Sequence, residues 1–542
     1  MSELHIFKAR KIVTMDPEQP EATHVGVRDG LVVAVGSEKD AAGWGTADTN
    51  DIFADKIIVP GFVEGHSHMF AGGIWRFVYV GYQDRVDPQG RRWSGVKSID
   101  AVIERMRGEQ EGLEEGVPLI AWGFDPIFLP APRADRHDFD RVSDTRPIAV
   151  LHSNFHVMTV NTPALRLAEY TAETNIEGIV MGEDGEPNGE LQEMAVMFPV
   201  MRRMNIDIRS LSGDGDGIRD FGKVCNAVGV TTATDLVASL EDSNVALLKN
   251  VTSEKAFPIR LVSALNGLQQ PPDETVTRAR ELAPQSTDKL RLGSVKIVTD
   301  GSIQGFTARL REPGYYNGAA NGIWNIAPDQ LNILVDALLR NGIHTHIHVN
   351  GDEAIQVAID AVGASIKRQS ADDHRTVLQH CQMADREQFE KMRELGLCAN
   401  LFANHIYYFG DQHKAITLGP ERARKMDGCR TALDHGIPLA IHSDAPITPL
   451  APLVTAWAAA QRQTAGGEIL GEEERISAYE ALHAITLGPA YTLRMEHEIG
   501  SIEPGKRADF AILDASPLDV EQDRIRDITV WGTVLGGVVH RA

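Results

Sequence analysis

Cysteine is scarce: the 542 residues hold four, Cys225, Cys381, Cys398 and Cys429, with no CxxC or knuckle spacing among them. A disulfide framework and a thiolate zinc site are not expected, and a reducing cytoplasm is the expected location. Long apolar runs are missing as well. No window approaches about 18 uninterrupted apolar residues, and the opening MSELHIFKARKIVTM breaks its apolar residues with charges, so neither a membrane span nor an export signal is expected. Positive charge is in deficit. Lys and Arg number 53 against 76 Asp and Glu, a net charge of −23 that repels phosphate backbones and anionic lipid headgroups. No nucleic-acid or membrane partner is expected, which leaves a small molecule. Internal repeats, heptads and low-complexity tracts are also absent.

What remains is globular in composition, 43% hydrophobic and 24% charged, in a chain long enough to bury a core without staples. At roughly 150 residues per domain, the length suits three to four units, or one large domain with additions. The first sixty residues predict short strands, Leu4 to Val13, Thr23 to Val27 and Leu31 to Val35, the last two joined by the hairpin signal Asp29-Gly30. Near the other end, Asp509 to Leu513 and Ile528 to Val539 read alike, so the two ends are expected to share one sheet.

Between them, strand-length apolar runs alternate with amphipathic helical stretches, the pattern of repeated βα units. Eight strands are predicted: Ile57 to His68, Val228 to Asp235, Ile259 to Leu265, Val295 to Asp300, Ile343 to Val349, Thr376 to Cys381, Leu397 to Phe402 and Ile437 to Asp444. Each ends near a polar or ionisable residue, the organisation of a (β/α)8 barrel, an α/β fold with catalytic groups at the strand C-termini. The expected division is residues 1–59 and 496–542 as two parts of a small β-sandwich and residues 60–495 as the barrel. A lid-like insertion at about residues 75–225 would carry its own strands, such as Pro118 to Phe124 and Pro147 to His156. Its loops Asp125 to Arg136 and Gly182 to Gly189 are expected to shape a substrate pocket.

The first barrel strand ends in His66-Ser67-His68. Side chains at i and i+2 of a strand point the same way, so both imidazoles can face one metal ion. A second strand carries His344, His346 and His348 on one face, a third ends in His380, and the last ends in Asp444. Neutral imidazole suits zinc or another borderline divalent ion, and a carboxylate beside a metal-bound water is a ready general base. Lys296 lies among Val295, Ile297 and Val298, where alternation would bury it. A buried ammonium is costly unless paired, here with Asp300 or another carboxylate, or carboxylated by CO2 into an anionic oxygen ligand; the residues leave both open.

PGFVEGHSH at 60–68, HSNFHVMTVNTPAL at 152–165, GEPNGELQE at 185–193, LGSVKIVTDGS at 292–302, HIHVNGDEA at 346–354, VLQHCQ at 377–382, HSDAPITPLAPL at 442–453 and IEPGKRADFAILD at 502–514 run from end to end. In these motifs the chain resembles the amidohydrolase superfamily, within it the group that includes the YtcJ-like proteins and N-substituted formamide deformylase. The resemblance implies a (β/α)8 barrel beside a small β-sandwich, a homodimer, and one or two divalent ions, most naturally Zn2+. It implies His66 and His68 as ligands from the first strand, Lys296 as a carboxylated bridge, His348 and His380 as ligands of the second ion, and Asp444 as last ligand and base. His156, His346, Asn350, Trp122 and Phe306 are the expected substrate contacts, with His344 structural.

Two departures stand out. Phe306 replaces an arginine of the group's pattern, which points away from an anionic substrate and toward a neutral or apolar one. Glu64-Gly65 replaces Asp-Ser, a milder change. The expected reaction is hydrolysis of a C–N bond in an amide, N-acyl or N-formyl among the candidates. Ester or lactone hydrolysis or deamination on the same metal set is the alternative, and a non-catalytic binding or regulatory protein is a second one.

Overall fold

The computed structural model describes residues 3–45, 49–129, 133–206 and 214–542. At its centre are eight strands in sequential order: β1 (Phe62–Glu64), β2 (Val230–Ala238), β3 (Arg260–Asn266), β4 (Leu290–Val298), β5 (Thr345–Val349), β6 (Val377–His380), β7 (Cys398–Leu401) and β8 (Leu439–Ile441). Every neighbouring pair is parallel. The ring closes just beyond β1 and β8, where Ser67 bridges Ala445, Asp444 N donates to His66 O at 3.1 Å and His68 N donates to Ala445 O at 2.9 Å. Each of the eight strands overlaps one of the eight expected segments, because strands buried on both faces are written as near-continuous apolar runs.

The connecting helices follow the same logic. Pro328–Arg340 turns Leu331, Leu334, Val335 and Leu338 into the core at helical spacing, with Pro at its start and Arg340 in its last turn. Arg386–Leu395 is opened by a reciprocal Asp385/Gln388 capping box and closed by Gly396 at φ +70°.

The two chain ends do share a sheet, of seven strands in the order Val538–Arg541, Val530–Leu535, Phe510–Leu513, Thr49–Pro60, His5–Val13, Glu21–Arg28, Leu31–Gly36. Asp29 and Gly30 both have positive φ, 54° and 77°, as a two-residue hairpin with right-handed strand twist requires. Two expected strands are corrected. Ile528 to Val539 is a hairpin that turns at Gly536-Gly537, φ 54° and 80°, not one strand. Ile57 to His68 is cut at Gly61, where the chain leaves the terminal sheet for the barrel; a Cβ there would lie 2.0 Å from Thr231 Oγ1.

Between β1 and β2 the chain builds a separate six-stranded sheet, in the order Ile179–Met181, Pro187–Gln192, Val157–Val160, Ile148–His152, Leu119–Phe124, Val78–Tyr79. It accommodates Asn161 by meeting each of its bonds: Oδ1 accepts from Ile148 N and Ala164 N, and Nδ2 donates to Ser143 O and Arg146 O. Of the two loops expected to shape a pocket, residues 130–132 lie outside the described residues. Among the described residues, no helix is long and apolar enough to cross a membrane.

Candidate metal centre

His66 and His68 follow β1 and lean toward Asp444, which follows β8. His66 Nε2 lies 3.3 Å and His68 Nε2 3.1 Å from Asp444 Oδ1. The opposite nitrogen of each ring is already engaged: His66 Nδ1 with Gln379 Oε1 at 2.8 Å, His68 Nδ1 with Leu236 O at 2.7 Å. Both partners are acceptors, so each Nδ1 carries the proton and each Nε2 presents a lone pair. Gln379 is itself oriented, accepting from Asn400 Nδ2 at 2.8 Å while its amide nitrogen meets His346 Nδ1 at 2.9 Å. Two lone pairs facing a carboxylate oxygen that lacks a hydrogen-bond partner have no reason to stay together except around a cation. The second-sphere bonds are those that orient imidazole ligands.

A further group overlaps this one. The ligand atoms of His66, His380 and His442 all lie within 4.8 Å of one another, as do those of His66, His68 and Asp444. Burial holds the His66 and His380 imidazoles well below the ordinary histidine value, reinforced by neighbouring cationic groups, so both stay neutral and able to ligate. His380 and Asp444 occupy the left-handed region, φ 72° and 53°, a backbone cost tolerated at functional sites.

Lys296, on β4, is 1% exposed, with Nζ 3.5 Å from His66 Nε2. Burial lowers its ammonium to about 7, opposed by Asp444. Asp300 does not pair with it; that carboxylate accepts backbone N–H bonds from Arg309, Asn350 and Gly351. His348, on β5, stands beside the group: its Nε2 is 3.3 Å from Gly301 O, and its ring lies 4.5 Å from that of His380. Glu64 joins β1 to the last strand end by accepting from Ser443 N at 3.1 Å and Ser443 Oγ at 3.0 Å, and burial pushes its carboxyl up to about 8.

These groups open into a cavity of about 770 Å³. Its walls include Phe70, Phe155, Met194, Phe198, Trp324 and Phe402. The insertion contributes Phe155, His156 and Glu193, whereas Gly182 to Gly189 and the described part of Asp125 to Arg136 do not line it. His156 Nδ1 pairs with Glu193 Oε2 at 2.8 Å, and Asn325 donates to the same oxygen at 3.0 Å. Burial alone would depress the His156 imidazole, but Glu193 holds it above its ordinary value.

The remaining expected contacts divide. Asn350 reaches the cavity, its Nδ2 donating to Gly301 O at 2.7 Å. His346 lies behind the wall, on Gln379, and His344 is tied to Arg375 O at 3.1 Å. Trp122 is placed elsewhere, packed in the insertion against Tyr79 and Trp75 at 4.9 and 5.0 Å. Phe306 also leaves the cavity. At φ +61° it turns onto Tyr315, 5.2 Å away, and Ser302 and Gln304 face the site instead. Glu193 and Gln379 carry no local signal in the sequence, whereas His442, not among the expected ligands, stands two residues before Asp444, the same spacing that marks His66 and His68.

Comparison with known proteins agrees with this geometry. The chain is 25% identical over 97% of its length to 97% of the putative amidohydrolase YtcJ of Bacillus subtilis. It is 25% identical over its whole length to 98% of the N-substituted formamide deformylase of Arthrobacter pascens. An uncharacterized metal-dependent hydrolase from Pyrococcus horikoshii superposes with a TM-score of 0.73 at 20% identity, over 96% of this chain and 99% of that one. The paired histidine and carboxylate groups are of the kind with which such enzymes hydrolyse C–N bonds by metal-activated water. The amidohydrolase family profile matches residues 54–540, and the chain belongs to that family.

Proposed function

We propose that this enzyme hydrolyses a small, neutral amide with an apolar substituent, N-acyl or N-formyl amides foremost. The observation that carries the reading is the pair of proton-locked histidines whose free nitrogens meet the bare Oδ1 of Asp444. His66, His68, Lys296, His348, His380 and Asp444 would hold one or two divalent ions, and the imidazole-rich donor set suits Zn2+. Such an ion, when bound, supplies Lewis acidity and a water that ionises near neutral pH. Lys296, with its ammonium brought down to about 7, holds much of its amine as the free base, the form that takes up CO2, so carboxylation is assigned here.

The Asp444 carboxylate takes a proton from the attacking water and returns it to the leaving nitrogen. His156, held by Glu193, offers a donor to the carbonyl oxygen as negative charge develops there, and Asn350 lines the same wall. Substrate charge follows from the cavity. Among its described lining residues Lys296 is the only lysine and arginine is absent, while Glu177, Glu193, Asp235 and Asp444 are present. Beyond the metal ligands and His156, no arginine or second lysine stands in that wall to meet an anionic group, and the aromatic walls favour apolar ones.

The test is a panel of N-acyl and N-formyl amides, esters, lactones and amino-heterocycles, assayed with zinc and bicarbonate. Highest kcat/KM on neutral amides is expected. Faster turnover of esters or of exocyclic amines would overturn the assignment. The four buried, unpaired thiols suit a reducing cytoplasm, and sedimentation velocity tests the homodimer.

A further inference from the structure

We propose that His442 is a metal ligand of this chain, forming with His66 and His380 a seat of three imidazoles beside the one made by His66, His68 and Asp444. The inference rests on the metal-dependent reading above and assigns a residue that reading does not use.

His442 is 1% exposed, and neither of its ring nitrogens has a hydrogen-bond partner. A neutral imidazole has one donor and one acceptor, and burying both unmet is costly. Both ring nitrogens of His380 are in the same position. The His442 ring is stacked on His66 at 4.8 Å, edge-on to His380 at 4.9 Å and tilted against Phe402 at 4.6 Å. Apolar packing alone would be served as well by leucine or phenylalanine, without a polar atom to bury. Three imidazoles whose ligand atoms lie within 4.8 Å of one another are accounted for by a borderline cation, which uses a lone pair from each.

The shared residue limits how the two seats are used. His66 Nδ1 is committed to Gln379, so only Nε2 is left, and one lone pair binds one ion. The seats are therefore alternatives for the ion that His66 holds, one containing a carboxylate and the other built of imidazole alone. Removing the carboxylate should leave the second seat able to keep the ion.

The experiment measures zinc per chain by plasma mass spectrometry and zinc affinity by competition with a chromogenic chelator. It uses chelator-stripped parent protein, D444N, D444N/H442Q and D444N/H442A, with the visible spectrum of each cobalt(II) form. D444N is expected to hold as many ions as the parent. Adding either change at His442 is expected to remove one ion per chain or weaken its binding at least tenfold, and to alter the cobalt spectrum. Circular dichroism and melting of the ion-free forms show that at least one double variant is folded. Equal ion content, affinity and spectrum in D444N and a folded double variant would overturn the proposal while leaving the metal-dependent reading intact. A D444N protein already one ion short, with no further loss in the double variants, would overturn it equally. A parent that binds no ion would sink both.

Discussion

The two ends of the barrel bury charged and polar groups with equal thoroughness and treat them in opposite ways. At the strand N-termini, Arg260 meets Asp509 through Nε at 2.6 Å and a terminal nitrogen at 3.1 Å. Its other terminal nitrogen donates to Asp288 O and Oδ2. Asp509 also accepts from Gly536 N at 2.8 Å, so the pair clamps the terminal sheet to β3 with its bonds made. At the strand C-termini, both nitrogens of His380 and of His442 and one oxygen of Asp444 have no partner. Unmet buried groups lower stability. A fold that satisfies Arg260 so fully yet leaves lone pairs of His380, His442 and Asp444 bare has given up stability where a cation would take up a lone pair.

Four substitutions put that contrast to the test. The largest effect is expected from Asp444→Asn, which removes the proton acceptor: kcat on the best amide should fall by on the order of 10³-fold, with little change in melting temperature. A residual rate within tenfold of the parent would move the base elsewhere. Arg260→Met is the mirror case. It strands the buried Asp509 carboxylate, Asp288 being exposed and still held by Arg507, and should cost about 3–5 kcal/mol, read as a melting temperature lower by roughly 3–5 °C, while kcat per folded molecule stays near the parent value. Glu193→Gln keeps a hydrogen bond to His156 and removes the charge that raises it, so kcat should fall roughly 10- to 100-fold with KM little altered. A rise in KM of that size with kcat unchanged would make the pair a substrate-binding device.

The smallest effect lies in the insertion. Burial pushes the Asp125 carboxyl up to about 6, against the hydrogen bond from the Ser153 hydroxyl. The folded state thus binds this proton more tightly than the unfolded chain does. The associated stability is present at low pH and is lost as pH rises through about 6. Asp125→Asn should remove that slope and gain about 1–2 kcal/mol over the parent at pH 7 but not at pH 4, checked by melting at both.

The barrel was legible because its signals are local. A strand between two layers is apolar along its length, so the runs from Val228 to Asp235 or from Leu397 to Phe402 mark themselves. Histidines at i and i+2 share a face whatever surrounds them. Other features depend on partners far away in sequence. Phe306 is two residues from cavity-lining Gln304, but its positive φ turns it onto Tyr315. Trp122 lies near the end of a strand, as the candidate metal ligands do, yet that strand belongs to the insertion's own sheet. The break at Gly61 shows only when Thr231 fills the space a side chain would need.

Which residues stand near the ends of the eight strands can thus be read along the chain, since alternation and apolar runs are properties of neighbouring residues. Which nitrogen of each imidazole is free was settled by the folded arrangement. That depends on an amide 313 residues from His66 and a carbonyl 168 residues from His68, and ring tautomers are set by hydrogen bonds that no stretch of sequence contains.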